Sequence, residues 1–187
     1  KVNMSIERIS SVIKWINDKL LPSINSGTVL SGFAKDQMLN DEGFRKYIKE
    51  FTQKADLRIS EIEVEETTYN LEKNQLEIIS NAKFLDENER AEILAKGTIK
   101  DINTNFRIRV KNSRGEEDYV LPEGSQSAGT TRVIEIESAI YTTLKDQAFL
   151  DIDEIEASLH PTLLDFILDR FLKEEGNESQ LLVTTHY

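Results

Sequence analysis

Residues 149–154 read Phe149-Leu150-Asp151-Ile152-Asp153-Glu154, apolar side chains running into two adjacent carboxylates. Preceded by Ala148, they have the pattern of a short buried strand of a parallel sheet. The carboxyl ends of such strands are where open α/β sheets place their ligands. An aspartate at that edge can hold magnesium through water, and a carboxylate beside it can orient or deprotonate an attacking water. On these six residues alone a second account stands beside the first: an acidic pair that merely closes a strand in a very acidic chain.

Both flanks keep the same rhythm. Residues 161–175 place Pro161 in a first helical turn and carry Leu163, Leu164, Ile167, Leu168, Phe171 and Leu172 as an apolar stripe. Gly176 stands where a helix would be capped. Leu181-Leu182-Val183 is a further apolar strand. Upstream, residues 131–144 present Val133, Ile136, Ile140 and Leu144 on one helical face. Helix, strand, helix and strand, with nearly unbroken apolar strands, predict a parallel α/β sheet covered on both faces.

The first part of the chain is less regular. Residues 1–25 predict an amphipathic helix, with Ile6, Ile9, Val12, Ile13, Ile16 and Leu20 at three- and four-residue spacings. Leu21-Pro22 ends it, because the residue before proline is driven out of the helical region. Residues 25–43 read as a Gly/Ser/Asn-bearing connection, and 41–55 as a helix with Phe44, Tyr47, Ile48 and Phe51 on one face. Leu57 and Ile59, then Ile62 and Val64, alternate like strands but out of phase, which predicts a bulge near residues 60–61. Strands are also predicted at 75–79 and 106–110, and a short helix at 86–95. The polar run 65–105 otherwise gives no clear pattern, and the chain has no internal repeat.

Composition sets bounds on function. With 187 residues, 39% of them apolar and 30% charged, the chain is sized for one compact domain, or one and an attached subdomain, divided here into 1–120 and 121–187. Zero cysteines exclude disulfides and thiolate metal sites, and two histidines, His160 and His186, argue against a histidine-rich zinc centre. No apolar run approaches the ~20 residues that span a bilayer, and the start does not read as a signal peptide. The expected setting is therefore the cytoplasm, with no membrane partner. The net charge of −11 is uneven: residues 121–187 hold 4 basic and 13 acidic side chains, residues 1–120 hold 19 and 21. Such a surface repels a phosphate backbone unless magnesium or a local basic patch intervenes.

Four motifs succeed one another in the second part. They are Ser127-Ala128-Gly129-Thr130 ahead of a helix, Asp153-Glu154 at a strand end, Ser158-Leu159-His160-Pro161 in a tight connection, and Thr184-Thr185-His186 closing the next strand. In this order and spacing they resemble the ABC-type ATPase superfamily, most of all the SMC/Rad50-like and overcoming-lysogenization-defect-like AAA proteins. The resemblance implies the C-terminal half of a P-loop NTPase fold, preceded by a helical and mixed-strand segment. In that family the four motifs are the signature, the Walker B pair, the D-loop and the switch histidine. Asp153 is then the residue for the water shell of Mg2+, Glu154 the general base and His186 the contact to the γ-phosphate of ATP. Ser127, Gly129 and Thr130 complete the nucleotide site of a second subunit, with Ser158 and His160 at the dimer interface, although a loop histidine before proline equally suits a helix-entry cap. Small residues at a helix N-terminus suit that task, because the first-turn amides attract anions. The resemblance further implies a homodimer closed head to head, an effector protein or nucleic acid as partner, and a role in antiphage defence or a DNA-linked process. A looser likeness covers Lys54-Ala55-Asp56 and the strand after it.

One motif of the family is missing. A P-loop reads GxxxxGK followed by Ser or Thr. The matching glycine spacing, Gly27 to Gly32, is followed by Phe33-Ala34 and comes after a helix rather than a strand. The chain therefore reads as the signature-to-switch portion of a longer ATPase. The alternative is a non-enzymatic interaction module that keeps remnants of the motifs. A magnesium-dependent nuclease built on Asp151, Asp153 and Glu154 lacks a second cluster of carboxylates.

Overall fold

Helix α6 (Ala128–Asp146) is the spine of the molecule. The computed structural model describes residues 6–55, 57–83, 85–113 and 115–186. In chain order the elements are α1 (Ile6–Lys19), α2 (Ser31–Asn40), α3 (Glu42–Lys54), β1 (Ile59–Asn70), α4 (Lys73–Ser80), α5 (Glu87–Lys96), β2 (Thr98–Asn112), β3 (Gly115–Pro122), α6 (Ala128–Asp146), β4 (Phe149–Ile152), α7 (Pro161–Lys173) and β5 (Gln180–Val183). Every residue of α6 from Arg132 to Ile140 is buried, on all faces of the helix. α2 and α3 pack against it, and β4 comes directly after it.

Two sheets flank this spine. β1, β2 and β3 form an antiparallel meander in that order, with α4 and α5 inserted between β1 and β2. β4 and β5 pair in parallel, Leu150 opposite Leu181 and Ile152 opposite Val183. On the other side of β4, Leu20 and Ile24 form parallel bridges to Phe149 and Ile152. The common core draws on all these parts: Ile24, Phe44, Ile48, Phe51, Phe106, Val133, Ile136, Ile140, Leu150, Ile152 and Ile167 are buried together. Each such side chain is worth ~1.5–3 kcal/mol of apolar burial.

The chain is thus mixed α/β, but the extensive parallel sheet expected from the sequence is represented among the described residues by β4, β5 and two bridges; the larger sheet is antiparallel. Several local expectations are corrected as well. Residues 25–43 contain helix α2, which buries Ala34 and Met38 one turn apart against its neighbours; its propensity is weak and tertiary packing carries it. Residues 75–79 are helical, not a strand: Gln75 completes a capping box with Glu72 at the start of α4. The first helix stops at Lys19, just ahead of the expected end at Leu21-Pro22, and Leu21 and Ile24 then donate their amides to Phe149 and Asp151 of β4. Its apolar stripe, including Val12, Ile13 and Ile16, is exposed, apart from a tilted ring contact between Trp15 and Phe149. Residues 1–5 and Asp56 of the looser likeness lie outside the described residues.

Other expectations hold. Asp41 caps α3 through the amide of Phe44, and Asp86 caps α5. The phase change in β1 is a register shift between Ile59 and Glu61. β1 then runs on to Asn70 and β2 extends from Thr98, a length that their polar outer halves concealed. β3 had no counterpart in the sequence reading. Among the described residues no helix is long and apolar enough to cross a membrane.

One buried charge tests this packing. Glu137 on α6 is 1% exposed. It accepts a hydrogen bond from the Tyr47 hydroxyl at 2.7 Å, with Arg170 of α7 at 3.5 Å. Arg170 also lies over the Tyr47 ring. Burial pushes the Glu137 carboxyl up to about 7, against the pull of Tyr47 and Arg170. A folded value above the ordinary 4.5 contributes stability that is complete below that value and is lost as pH rises through about 7. Melting temperatures from about pH 5 to about pH 8 are expected to fall less steeply in Glu137→Gln than in the parent chain. Identical slopes would contradict this placement of the charge.

Candidate functional site

The chain turns sharply where β4 ends. Asp153 donates its amide to Ile24 O at 2.7 Å, the last rung on that side. On the other side Thr184, just past β5, donates its amide to Ile152 O at 3.1 Å and accepts the Ile155 amide at 3.2 Å. The Thr184 hydroxyl closes the corner: it accepts the Glu154 amide at 3.0 Å and donates to the Asp153 carboxylate. His186 completes it, with Nε2 at 3.1 Å from Glu154 Oε1 and its amide donating to Glu156 Oε1 at 2.8 Å. Asp153, Glu154 and His186, predicted from two motifs of the sequence, therefore meet at one sheet edge.

The backbone of this turn is unusual. Glu154 and Ser158 sit at φ +52° and +67°, in the left-handed region that side chains ordinarily avoid. Each costs about 1 kcal/mol or more, and such residues cluster where surrounding structure over-determines them. Here Ile155 and Leu159 supply that determination. Both are buried, and they pin the turn to the core between the exposed functional residues. Inside it the Ala157 amide bonds Glu154 O and the Leu159 amide bonds Glu156 O.

Electrostatics follow from the geometry. The nearby Ser26 hydroxyl and then the hydrogen-bonded His186 ring hold the Glu154 carboxyl below the usual range. The same Glu154 bond, with the charge of Glu156 behind it, raises His186 above its ordinary 6.5. Glu156 is itself lowered, mainly by the His186 amide. The site thus favours a carboxylate facing an imidazolium, both open to solvent.

The second group lies at the start of α6. Ser127 is its N-cap: Oγ accepts the Thr130 amide at 3.1 Å and lies 2.9 Å from Thr130 Oγ1. Gly129 is pressed against the D-loop-like turn, so that a Cβ there would stand 3.0 Å from Ser158 O. Ser127, Gly129, Thr130 and Ser158 are in this way brought together. His160 is turned elsewhere, its Nδ1 accepting the Thr162 amide as the cap of α7. Asp151 is a strand residue bonded by the Ser23 hydroxyl at 2.9 Å.

Sequence reasoning passed over Ser26, Thr184 as a side chain, and Glu156. Thr184 had a signal in the Thr-Thr-His motif; Ser26 had none, since only the pairing of Ile24 with β4 brings it to the site.

For a metal, the described residues hold no group of three or more His, Asp or Glu side chains able to enclose one. Magnesium does not need such a cage, because it keeps waters and takes one or two carboxylates plus substrate phosphates. The exposed carboxylate of Asp153 at a strand end fits that demand. The phosphate cradle of a P-loop has no counterpart in the sequence.

The site is thus an acidic pair at a parallel strand end, with a histidine from the next strand bonded to its second member. A family model described as "AAA domain, putative AbiEii toxin, Type IV TA system" matches residues 5–186, and the chain belongs to that family. Membership implies nucleotide-binding, ATPase-type function. No curated protein and no solved structure matches the chain.

Two outcomes check this geometry. In Glu154→Gln, a proton titration of the His186 ring is expected to move down toward 6.5, since its main partner is gone; an unchanged midpoint would break the pair. Gly129→Ala is expected to leave stability within about 1 kcal/mol, helix propensity offsetting the contact. It should speed amide exchange in the 156–159 turn, and unaltered exchange there would count against the Gly129–Ser158 packing.

Proposed function

We propose that this chain is the signature-to-switch portion of an ABC-type ATPase head of the SMC/Rad50-like and overcoming-lysogenization-defect-like kind. In this reading 121–187 carry the motifs and 1–120 form a subdomain of the same head. Two heads dimerise around Mg-ATP, and hydrolysis releases them, driving a conformational cycle that gates an effector or a nucleic acid. The phosphate cradle comes from outside these 187 residues. The observation that carries the reading is the parallel pairing of β4 and β5, which sets His186 3.1 Å from Glu154 beside Asp153.

Each residue has a defined task. Magnesium, when bound, neutralises developing phosphate charge and orients the transferring group. Asp153 would hold its water shell from the strand end, with Thr184 fixing the carboxylate. Glu154 accepts the proton of the attacking water at a carboxylate oxygen, the one bonded to His186 or its partner. His186 presents its ring to the γ-phosphate of the nucleotide. Ser127, Gly129 and Thr130 face the nucleotide of the opposing head with the N-terminus of α6, and Ser158 and His160 lie along the contact between heads. The likeness to the overcoming-lysogenization-defect-like proteins is the association behind a role in antiphage defence or a DNA-linked process. A non-enzymatic interaction module is the second reading, favoured by the missing P-loop.

The test is ATP turnover in a protein that carries both the cradle and this chain. Glu154→Gln is expected to lower kcat by at least about 100-fold while nucleotide binding and head dimerisation persist. Unchanged turnover would remove Glu154 from catalysis; absence of both binding and turnover in the parent would favour the interaction module.

A further inference from the structure

The hydrogen bonding between β4 and β5 continues past their last paired residues, Ile152 and Val183. Thr184 donates its amide to Ile152 O at 3.1 Å, and Ile155 donates to Thr184 O at 3.2 Å. In a regular parallel ladder the bonds are evenly spaced, and the amide of residue 186 would go next to the carbonyl of residue 154. That carbonyl has been turned away. Glu154 sits at φ +52°, and its carbonyl accepts the Ala157 amide at 2.9 Å inside the turn. The His186 amide is taken instead by a side chain, Glu156 Oε1, at 2.8 Å. A carboxylate thus replaces the backbone acceptor that the turn removed.

Glu156 is committed to this contact. It is half-buried, and its second oxygen, Oε2, is shut off from solvent. Withdrawing a carboxylate from water is unfavourable unless it is hydrogen-bonded, so a merely solvated surface glutamate would not be turned inward in this way. The main chain of the same residue belongs to the D-loop-like turn: Glu156 O accepts the amide of buried Leu159 at 2.8 Å. Between these two residues lies Ser158, whose carbonyl a Cβ on Gly129 would meet at 3.0 Å. Glu156 therefore has its backbone in the turn packed on the start of α6 and its side chain on the segment that carries His186. The histidine is held at two points, its amide by Glu156 and its ring by Glu154 at 3.1 Å.

We propose that Glu156 is a positioning residue for His186, a side-chain strut that fixes the histidine backbone to the 156–159 turn. The proposal rests on reading His186 as the γ-phosphate contact of a hydrolysing head. It links the turn assigned to the contact between heads with the histidine assigned to the nucleotide. A shift of the turn against Gly129 reaches His186 through one carboxylate. Glutamine at 156 keeps an acceptor oxygen at the same reach, whereas alanine leaves the His186 amide to water.

The test has two arms. In this chain alone, without nucleotide, amide exchange and the backbone resonance of His186 are followed by NMR. Glu156→Ala is expected to speed exchange at the His186 amide about tenfold while the Ile155 amide stays protected, and Glu156→Gln to keep most of the protection. Gly129→Ala is expected to move the His186 amide resonance in the parent chain and to leave it in place in Glu156→Ala. If Glu156→Ala does not fold, the response of His186 to Gly129→Ala decides the matter. Exchange at His186 indifferent to Glu156→Ala in folded protein, or a His186 resonance unmoved by Gly129→Ala, overturns the proposal. In a protein with the phosphate cradle, Glu156→Ala is expected to lower kcat about tenfold and Glu156→Gln to retain most of the rate. Because Glu156 acts through His186, the double variant Glu156→Ala/His186→Ala should be no slower than His186→Ala. Additive losses, or an unchanged rate in Glu156→Ala, overturn it as well. A parent protein without turnover would count against the hydrolysis reading alone, since the NMR arm judges the hold on His186 separately.

Discussion

A parallel backbone ladder three segments wide determines the rest of the structure. Residues 20–24, β4 and β5 lie side by side, and their amides and carbonyls are spent on one another from Leu21 to Thr184. Because these strands run in the same direction, all three finish at the same edge, and the residues after each of them are delivered there. Those residues are Asn25-Ser26-Gly27-Thr28, Asp153-Glu154 and Thr184-Thr185-His186. The ladder is short, four paired residues between β4 and β5, so it is not self-supporting. It is held by α6 and by Ile152 and Leu150, which are nearly inaccessible to solvent.

Rigidity in the core and exposure at the edge are two sides of one arrangement. Ile155 and Leu159 anchor a turn whose other residues, Asp153, Glu154 and Ser158, are left open or half-open to solvent. Left-handed backbone at Glu154 and Ser158 is tolerated because the anchors on either side leave the chain no other course. α6 contributes at both ends of this scheme. Its cap at Ser127 touches the turn through Gly129, and Arg132 clasps the turn at 25–28. Deeper along the helix, Glu137 joins α3 to α7 through Tyr47 and Arg170.

The legible parts of the sequence were those with a local cause. Helix α3 was legible from Phe44, Tyr47, Ile48 and Phe51 on one face, and the structure adds Asp41 and Asp86 as the caps that satisfy first-turn amides of α3 and α5. The apolar runs of β4 and β5 and the stripe of α7 follow from burial. The site residues at 153, 154 and 186 were legible for a different reason, their spacing in a motif set. The illegible parts were decided by partners distant in sequence or by polar contacts that periodicity does not show. α2 has a flat pattern and depends on α6 for its burial; residues 75–79 alternate by chance and are helical because Glu72 and Gln75 cap one another. The outer halves of β1 and β2 are polar on both faces, so period two was hidden, and β3 is largely exposed. Ser26 became part of the site only through a bridge between Ile24 and Ile152, more than a hundred residues away. His160 shows the converse, a residue drawn from a motif that the structure uses to cap α7.

The measurement that bears most directly on the central claim is paramagnetic broadening of backbone amides by Mn2+ with ATP, recorded on a protein that carries both the phosphate cradle and this chain. Manganese substitutes for magnesium at hard oxygen ligands, and its effect is confined to nearby nuclei. Broadening centred on residues 153–156 and 184–186, and lost in Asp153→Ala, is the result expected of a strand edge built to hold a metal–nucleotide. Broadening spread over the acidic surface, or centred elsewhere and indifferent to Asp153→Ala, would contradict it.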